Sequence, residues 1–262
     1  MGDIMLGAII GDLAGSIYEF EQFKKVRPIL INNIIEKNAF ISDDSILTIA
    51  VADAIINNRS YEEKLKEYAI KFGDKLPKDI PYFKTMFSPN FTKWAQGDFV
   101  GESHGNGAMM RVSPVGYLFN CEEEIVKNAY LATIPSHNSE EAISCANIVA
   151  LIIFYARKGL SKEEIINKLD LKITKPIIKE FNYTCEDTID LCLYSLFNAN
   201  SFEESLKIAI SFGGDTDTNA CIVGSMAEAM FGIDENLKQK ALVKLPSAFV
   251  DILNKCYEKL VK

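Results

Sequence analysis

The chain has 262 residues, of which 48% are hydrophobic and 24% charged, values that are typical of a soluble globular protein. Its formal net charge of −8 argues against a binding surface for nucleic acid or for an anionic membrane. An anionic small ligand is still compatible with this charge, because bound metal ions can reverse the local sign.

The N-terminal region and the cysteines bear on the cellular compartment. The apolar stretch 4–17 does not read as a signal peptide, because no Lys or Arg precedes it and Asp12 interrupts it. No apolar run reaches the length of a membrane span. The six cysteines show no Cys-x-x-Cys spacing, and most lie in apolar helical patterns. We therefore expect a cytoplasmic protein with reduced cysteines and a single domain over residues 1–262.

The first predicted element is a helix that contains a stripe of glycines. Gly7, Gly11 and Gly15 recur every four residues on one face, and Glu19 continues this stripe. Each helical Gly costs about 1 kcal/mol relative to Ala, so three of them require a reason. Close packing against another helix would explain the glycines. It would not explain a carboxylate at the end of the stripe.

Apolar residues at helical spacing predict most of the other elements. Further helices are predicted at residues 42–57, 140–157, 185–197, 202–210, 217–231 and 247–260. Residues 26–35 are predicted to be extended, because Pro28 and β-branched residues disfavour a helix. Residues 72–101 contain several prolines and scattered aromatic residues, which predicts a long ordered loop. The dominance of helical patterns indicates an all-α fold.

Two short runs combine paired carboxylates with hydroxyl groups at predicted helix starts. They are Ser42-Asp43-Asp44 and Gly213-Gly214-Asp215-Thr216-Asp217-Thr218. Each run has a simpler interpretation, because Ser and acidic residues are preferred at any helix N-terminus. Four carboxylates that meet in the fold, however, could not remain ionised together without cations. Their oxygens are ligands of hard divalent metals, so the runs predict a two-metal site for Mg²⁺ or Mn²⁺.

A third segment, Ser103-His104-Gly105-Asn106-Gly107, is rich in turn-forming residues. Its N–H groups could hold an anion such as a diphosphate, although a surface turn without a ligand is the simpler interpretation of this segment alone. His137 precedes a long predicted helix, where it either assists the cap or faces a ligand. Because the chain has only two histidines, a zinc site made of several imidazoles is not expected.

Taken in order, these motifs resemble the ADP-ribosylglycohydrolase family over most of the chain, from Gly7 to about Gly232. The resemblance rests on Gly11-Asp12-Leu13-Ala14-Gly15 with Glu19, on Ser42-Asp43-Asp44, on Gly105-Asn106-Gly107-Ala108-Met109-Met110-Arg111-Val112-Ser113-Pro114, on His137 and on Gly214-Asp215-Thr216-Asp217-Thr218. The family commonly has Thr where Ser42 stands, and Ser keeps the hydroxyl oxygen. It usually has small residues where Glu228 stands, which leaves the local packing open.

The resemblance implies a single-domain orthogonal helical bundle with a dinuclear Mg²⁺ or Mn²⁺ cleft. It also implies hydrolysis of ADP-ribose linked through its anomeric carbon. By position, the implied metal ligands are Ser42, Asp43, Asp44, Asp215, Asp217 and Thr218. The implied catalytic residues are Glu19, Asp44 and Asp215, with Glu19 as general acid or base or as a metal-bound gate. The implied contacts to ADP-ribose are Ser103, His104, Gly105, Asn106, Gly107 and His137.

We expect a monomer that takes an ADP-ribosylated substrate and releases ADP-ribose, with no nucleic-acid or membrane partner. Two other functions are compatible with these residues. One is a catalytically silent ADP-ribose-binding or structural protein, although the retention of every metal-type oxygen and of Glu19 argues against it. The other is a metal-dependent nucleotide phosphohydrolase.

The acceptor is left open among arginine, serine, a nucleic acid base and a metabolite. Aromatic residues of the loop 72–101 could contact it, namely Tyr82, Phe83, Phe87 and Trp94.

Overall fold

A computed structural model of the chain describes residues 5–75 and 86–261. Within these residues the structure has helices, turns and two isolated β-bridges, but no β-strand. The helices are α1 (Gly7–Gly15), α2 (Glu19–Gln22), α3 (Asp43–Ile56), α4 (Tyr61–Phe72), α5 (Pro89–Gln96), α6 (Gly107–Met110), α7 (Ser113–Leu118), α8 (Glu122–Thr133), α9 (Glu140–Arg157), α10 (Lys162–Lys168), α11 (Cys185–Phe197), α12 (Phe202–Ser211), α13 (Thr216–Phe231), α14 (Glu235–Leu242) and α15 (Ser247–Leu260). The all-α prediction is confirmed.

The long periodic segments are the best predicted elements. The predicted bounds of α9, α11 and α15 agree with the structure, those of α12 and α13 differ by one residue at one end, and those of α3 by one residue at each end. Helix α3 begins after Ser42 because Ser42 is its N-cap, whose side chain accepts a hydrogen bond from the Asp44 N–H at 3.2 Å. These helices are easy to predict because each buries an apolar face in the core.

The predicted continuation of the first helix to Glu19 is wrong. Helix α1 ends at Gly15, and a turn over residues 16–18 separates it from α2, which begins at Glu19. In this turn the Tyr18 N–H donates to the Gly15 carbonyl at 2.9 Å, a three-residue step that tightens the helix end. The Ser16 hydroxyl donates to the Leu13 carbonyl and accepts from the backbone N–H of residue 40. Glu19 therefore takes its position from the turn rather than from the glycine stripe.

Two predictions about irregular segments need correction. Residues 26–35 were predicted to be extended, whereas the structure has coil with bends and no β-strand there. The predicted loop 72–101 contains the two-turn helix α5, in which Ser88 is the N-cap and Pro89 occupies the first turn. Proline is compatible with this position, because the N–H that it lacks has no partner within a helix there. Tyr82 and Phe83, which were expected to contact the acceptor, lie outside the described residues.

The glycine stripe of α1 packs directly against the backbone of α13. A Cβ atom on Gly11 would lie 2.0 Å from the carbonyl oxygen of Ala220. At Gly7 and Gly15 the corresponding distances to carbonyl oxygens of α13 are both 2.2 Å. No side chain fits in such a gap, so close helix packing explains the three glycines. This packing holds the C-terminal end of α1 beside the N-terminal end of α13.

We expect Gly11→Ala to lower the free energy of unfolding by about 3 kcal/mol, the upper end of the usual cost of overpacking a core. The added methyl group can be accommodated only if α1 and α13 move apart. Urea denaturation measures the effect. Gly73→Ala is the control, because the nearest atom to its added Cβ is the Ala69 carbonyl oxygen at 3.1 Å. Equal stability of the Gly11 variant and wild type would contradict the packing argument.

Glu228 caps the start of α1. Its carboxylate accepts hydrogen bonds from the N–H groups of Gly7 at 2.7 Å and Leu6 at 3.4 Å. Helix α1 has no acidic residue in its first turn, so this distant carboxylate satisfies its free N–H groups. Burial raises the pKa of Glu228 to about 7, although these hydrogen bonds act in the opposite direction.

The described helices share one hydrophobic core, to which α1, α3, α9, α11 and α13 contribute fully buried residues. None of the described helices is long and apolar enough to cross a membrane. All six cysteines are free, and five of them are buried, whereas Cys121 is exposed. The prediction of reduced core cysteines is thus confirmed for five of the six.

Candidate active site

The two acidic runs lie at the N-terminal ends of α3 and α13. Asp44 lies in the first turn of α3, while Asp215 is the N-cap residue of α13 and Asp217 lies in its first turn. The Thr218 hydroxyl donates to Asp44 Oδ2 at 3.2 Å and so links the two runs, which are 174 residues apart. The partial positive charge at both helix N-termini offsets part of the repulsion among these carboxylates.

The double glycine before Asp215 is required by the turn that enters α13. Gly213 and Gly214 have φ values of +74° and +76°, in the left-handed region that residues with a side chain rarely adopt. A Cβ atom on Gly214 would lie 2.1 Å from Asn182 Oδ1, and one on Gly213 would lie 2.4 Å from the Arg27 carbonyl oxygen. The glycines therefore allow Asp215 to approach Asn182 closely.

The acids form two groups whose carboxylate oxygens lie close enough to share a cation. One group is Asp12, Asp44 and Asp217, and the other is Glu19, Asp215 and Asp217. Within each group the oxygen atoms lie within 4.8 Å of one another. Asp217 belongs to both groups, so its carboxylate can bridge two cations. Two-metal centres have this arrangement, with ions about 3.5–4 Å apart.

The remaining predicted ligands surround these groups. Ser42 Oγ donates to Asp44 Oδ2 at 2.9 Å, and the Thr218 N–H donates to Asp217 Oδ1 at 3.0 Å. Asp43 is half-buried and faces the cleft, but it belongs to neither of the two groups. The structure thus brings all six predicted ligands to one place and sets Asp43 apart from the closest carboxylates.

Asp12 and Asn182 lie in the site but were not predicted as site residues from the sequence. Asn182 Oδ1 accepts from the Asp215 N–H at 3.0 Å, and its amide group donates to Asn219 Oδ1 at 2.7 Å. Asn106, expected to contact the substrate, donates from its amide to Asp215 Oδ2 at 2.7 Å. These amides orient Asp215 from two sides. Asp12 could have been found from the sequence, because a carboxylate within an apolar helix needs a polar or charged partner.

Removal from water and mutual repulsion raise the pKa values of the clustered acids. Burial, and then the charges of Asp215 and Asp43, raise the pKa of Glu19 well above its usual range. Burial, and then the charges of Asp12 and Asp215, raise the pKa of Asp43 to about 7. Burial also raises the pKa of Asp12 to about 6, although hydrogen bonds from Ser45 and Ser42 act against it. Protons and cations therefore compete for these oxygens near neutral pH.

The acids lie in the wall of a cleft with a volume of about 740 Å³. Glu19, Asp43, Asp44, Asp215 and Asp217 all line it. Its other walls carry flat apolar side chains, among which are Phe91, Trp94, Phe99, Phe181 and Tyr183. A molecule that fills the cleft would place one polar end at the acids and a ring against the aromatic walls. The volume suits a drug-sized or nucleotide-sized ligand.

The segment 103–107 forms one wall of this cleft, but part of its backbone is already hydrogen-bonded within the protein. The Gly105 N–H donates to Ser103 Oγ at 3.0 Å, and the Asn106 N–H donates to the Tyr183 carbonyl at 2.9 Å. The sequence suggested that N–H groups of this segment could hold an anion. These two cannot, because they already donate within the protein. His104 is exposed at the cleft, where its Nδ1 lies 2.9 Å from Glu141 Oε2.

His137 also lines the cleft, and polar contacts at its Nδ1 hold the ring in position. Its Nδ1 lies 2.8 Å from Ser136 Oγ and 3.5 Å from Nη2 of Arg111. Burial, and then the charges of Arg111 and His104, lower the pKa of His137 well below its usual range. The imidazole is therefore neutral at physiological pH. Arg111 is fully buried and holds the same segment through a 2.7 Å bond from Nη2 to Ser136 Oγ.

Comparison with known proteins connects this geometry to a family. The chain is 21% identical to ADP-ribosylarginine hydrolase Tri1 of Pseudomonas putida (strain GB-1), over 87% of this chain and 70% of that protein. It is 22% identical to ADP-ribosylhydrolase ARH3 of Homo sapiens, over 88% of this chain and 85% of that protein.

A solved structure described as an ADP-ribosylglycohydrolase-related protein complex has the same fold. It matches with a TM-score of 0.70 and 16% sequence identity, covering 97% of this chain and 95% of that chain. The sequence profile of the ADP-ribosylglycohydrolase family matches residues 3–261, nearly the whole chain. The chain therefore belongs to the ADP-ribosylglycohydrolase family.

Proposed function

We propose that this protein is a metal-dependent hydrolase that cleaves the glycosidic bond between ADP-ribose and an acceptor and releases ADP-ribose. The observation that carries the proposal is the pair of acidic groups that share Asp217 in the wall of a nucleotide-sized cleft. Family membership and the similarity to Tri1 and ARH3, which are named as ADP-ribosyl hydrolases, support the same reaction.

The donor set fits two hard divalent cations, Mg²⁺ or Mn²⁺. Carboxylate and hydroxyl oxygens are the ligands that such ions prefer. The residues that would hold them are Ser42, Asp43, Asp44, Asp215, Asp217 and Thr218. When bound, the cations would orient the ribose hydroxyls and polarise a water molecule. Their charge would also offset that of the substrate diphosphate.

Glu19 is the residue that we propose to exchange a proton with the leaving group or with water. It is only partly buried, it lines the cleft, and one of its oxygens lies within 4.8 Å of Asp215 and Asp217 oxygens. In the metal-free protein, burial and then the charges of Asp215 and Asp43 raise its pKa, and a carboxyl group beside the reacting centre can act as general acid or base. Glycosidic bond cleavage passes through an oxocarbenium-like transition state that requires such a group.

The other two proposed catalytic residues, Asp44 and Asp215, would fix the reacting end of the substrate. Each is buried and belongs to one of the two acidic groups. The rest of ADP-ribose would follow the wall formed by Ser103, His104, Gly105, Asn106, Gly107 and His137. A neutral His137 ring and the aromatic side chains of the cleft offer flat surfaces to the adenine base.

A panel of defined ADP-ribosyl linkages tests the proposal. Each linkage would be incubated with the protein and Mg²⁺ or Mn²⁺, and in parallel with a chelator. Metal-dependent appearance of free ADP-ribose is the expected result. Release of inorganic phosphate instead would identify a nucleotide phosphohydrolase. Binding of ADP-ribose without turnover of any linkage would identify a catalytically silent binding protein.

Among the linkages, we expect faster release of ADP-ribose from arginine than from serine. The similarity to ADP-ribosylarginine hydrolase Tri1 motivates this expectation. A guanidinium leaving group would also be attracted by the carboxylates in the wall of the cleft. Initial rates on matched ADP-ribosyl-arginine and ADP-ribosyl-serine peptides measure the preference. Turnover of the serine linkage alone would contradict it.

A further inference from the structure

The deepest carboxylate oxygens of the site have no partner within the described protein. Asp12 Oδ1 and Asp44 Oδ1 are both buried without a hydrogen-bond donor. The two residues are 0% and 1% exposed, so bulk solvent does not reach them. An unpaired buried carboxylate oxygen is costly, and a cation is the natural group to compensate it.

The other oxygen of Asp12 is fully occupied. Asp12 Oδ2 accepts hydrogen bonds from the Ser42 N–H at 2.9 Å, from the Ser45 N–H at 3.1 Å and from the Ser45 hydroxyl. These donors belong to the start of α3, whereas Asp12 lies on α1. The carboxylate is therefore held through Oδ2, which leaves Oδ1 without a donor, and Asp12 belongs to the group that contains Asp44 and Asp217.

We propose that Asp12 completes an inner cation position with Asp44 and Asp217, distinct from an outer position formed by Glu19, Asp215 and Asp217. The inference rests on the proposed cation centre and adds a ligand to it. Oxygens within 4.8 Å of one another can bind one ion, since ligand distances to hard divalent cations are about 2.0–2.6 Å.

The two positions differ in their access to the cleft. Asp12, Asp44 and Asp217 are 0%, 1% and 3% exposed, and Asp12 does not line the cleft. Glu19 is partly exposed and lines it. Asp44 and Asp217 line the cleft as well, so the inner ion would differ from the outer one in having the fully buried Asp12 as a ligand in place of the partly exposed Glu19. We expect tighter binding and slower exchange at the inner position.

Calorimetric titration of the metal-free protein with Mn²⁺ provides the test. Wild type should bind two ions in steps of different affinity. Asp12→Asn should weaken the tighter step by at least about 10-fold, the lower limit for removing a group that supports a metal site. Asp215→Asn should affect the weaker step and leave the tighter one unchanged, because Asp215 belongs only to the outer group. The proposal would be overturned if Asp12→Asn bound two Mn²⁺ ions with wild-type affinities. It would also be overturned if Asp12→Asn lost only the weaker step.

Ser45→Ala separates a role in metal binding from a role in holding α3. It removes the Ser45 hydroxyl bond to Asp12 Oδ2 and leaves the carboxylate and both backbone bonds in place. This variant should keep both Mn²⁺ steps close to wild type, because the N–H groups of Ser42 and Ser45 still hold Asp12 Oδ2. If Ser45→Ala and Asp12→Asn weaken the tighter step equally, Asp12 acts only through α3.

A measurement on wild type covers the case in which Asp12→Asn does not fold. Crystals soaked in Mn²⁺ should show an anomalous peak about 2.0–2.6 Å from Asp12 Oδ1, the range for oxygen ligands of such ions. Peaks bonded to Asp44 and Asp217 but distant from Asp12 would overturn the inference. This result is independent of turnover, so the proposed hydrolase activity would stand or fall separately in the linkage panel.

Discussion

Asp217→Asn is expected to abolish most binding of divalent metal and, with it, turnover. Asp217 is the one residue that belongs to both acidic groups, so its replacement affects both proposed cation positions. An amide is neutral, and its oxygen is a weaker ligand for a hard cation than a carboxylate oxygen. Calorimetry with Mn²⁺ and elemental analysis of the purified protein measure the loss. Undiminished metal binding would show that Asp217 is not a ligand.

The same variant should fold normally in the absence of metal. Burial, and then repulsion from Glu19 and Asp215, raise the pKa of Asp217 well above its usual value of 3.8. A raised folded-state pKa means that folding favours the protonated carboxyl, so stability is lost as the pH rises above the unfolded value. Asn imitates the protonated form. With a chelator at pH 8, we therefore expect Asp217→Asn to melt at the wild-type temperature or above it.

Asp53→Asn is the matched control for Asp217→Asn, because Asp53 is a buried acid on α3 that belongs to neither acidic group. Asp53 lies near the other end of that helix, where it accepts from the Tyr68 hydroxyl at 3.0 Å and pairs with Lys64 at 3.1 Å. Its replacement removes a buried charge without touching either acidic group. It should lower stability and leave Mn²⁺ affinity unchanged, which is the opposite of the result expected at Asp217.

The parts of the fold that were predicted well are those determined by local patterns. Helices α9, α11 and α15 have long apolar faces, and their bounds follow from spacing alone. Helix α5 was missed because Pro89 and the aromatic residues that follow it resemble a loop. Only the structure shows that Pro89 lies in the first turn behind the Ser88 cap. Composition alone does not show whether a helix begins or ends at a proline.

Single residues of the candidate site were likewise predictable only where a local sequence motif marks them. Ser42, Asp44 and Asp217 were predictable because helix-start motifs place them on the chain, and the structure brings them together. Asn182 carries no such signal, since it lies in an irregular segment and meets Asp215 only through the tertiary fold.

Asp12 was visible in the sequence as an acid inside an apolar helix. Its importance, however, depends on how closely α1 and α13 approach one another. The three glycines of α1 indicated a close contact. They could not reveal the partner helix.

Glu19→Gln is expected to reduce turnover by about 10²–10⁴-fold, the usual contribution of one general acid or base. Glutamine keeps the shape of the side chain but cannot give up or take a proton at neutral pH. Because Glu19 is only partly buried and lies beside the two buried acids of its group, ADP-ribose binding should stay nearly intact. Glu21→Gln is the control, since Glu21 is an exposed acid on the same short helix α2 and should behave as wild type.

Three measurements on this variant separate the possible roles of Glu19. Lower turnover with unchanged ADP-ribose and Mn²⁺ affinities indicates proton transfer. Altered affinity at the weaker Mn²⁺ step with a smaller change in rate indicates a gate at the outer cation position. The group formed by Glu19, Asp215 and Asp217 makes that second outcome physically reasonable, because the carboxylate lies within reach of a shared ion. Wild-type turnover would exclude a catalytic role and leave Glu19 as a residue that only shapes the turn between α1 and α2.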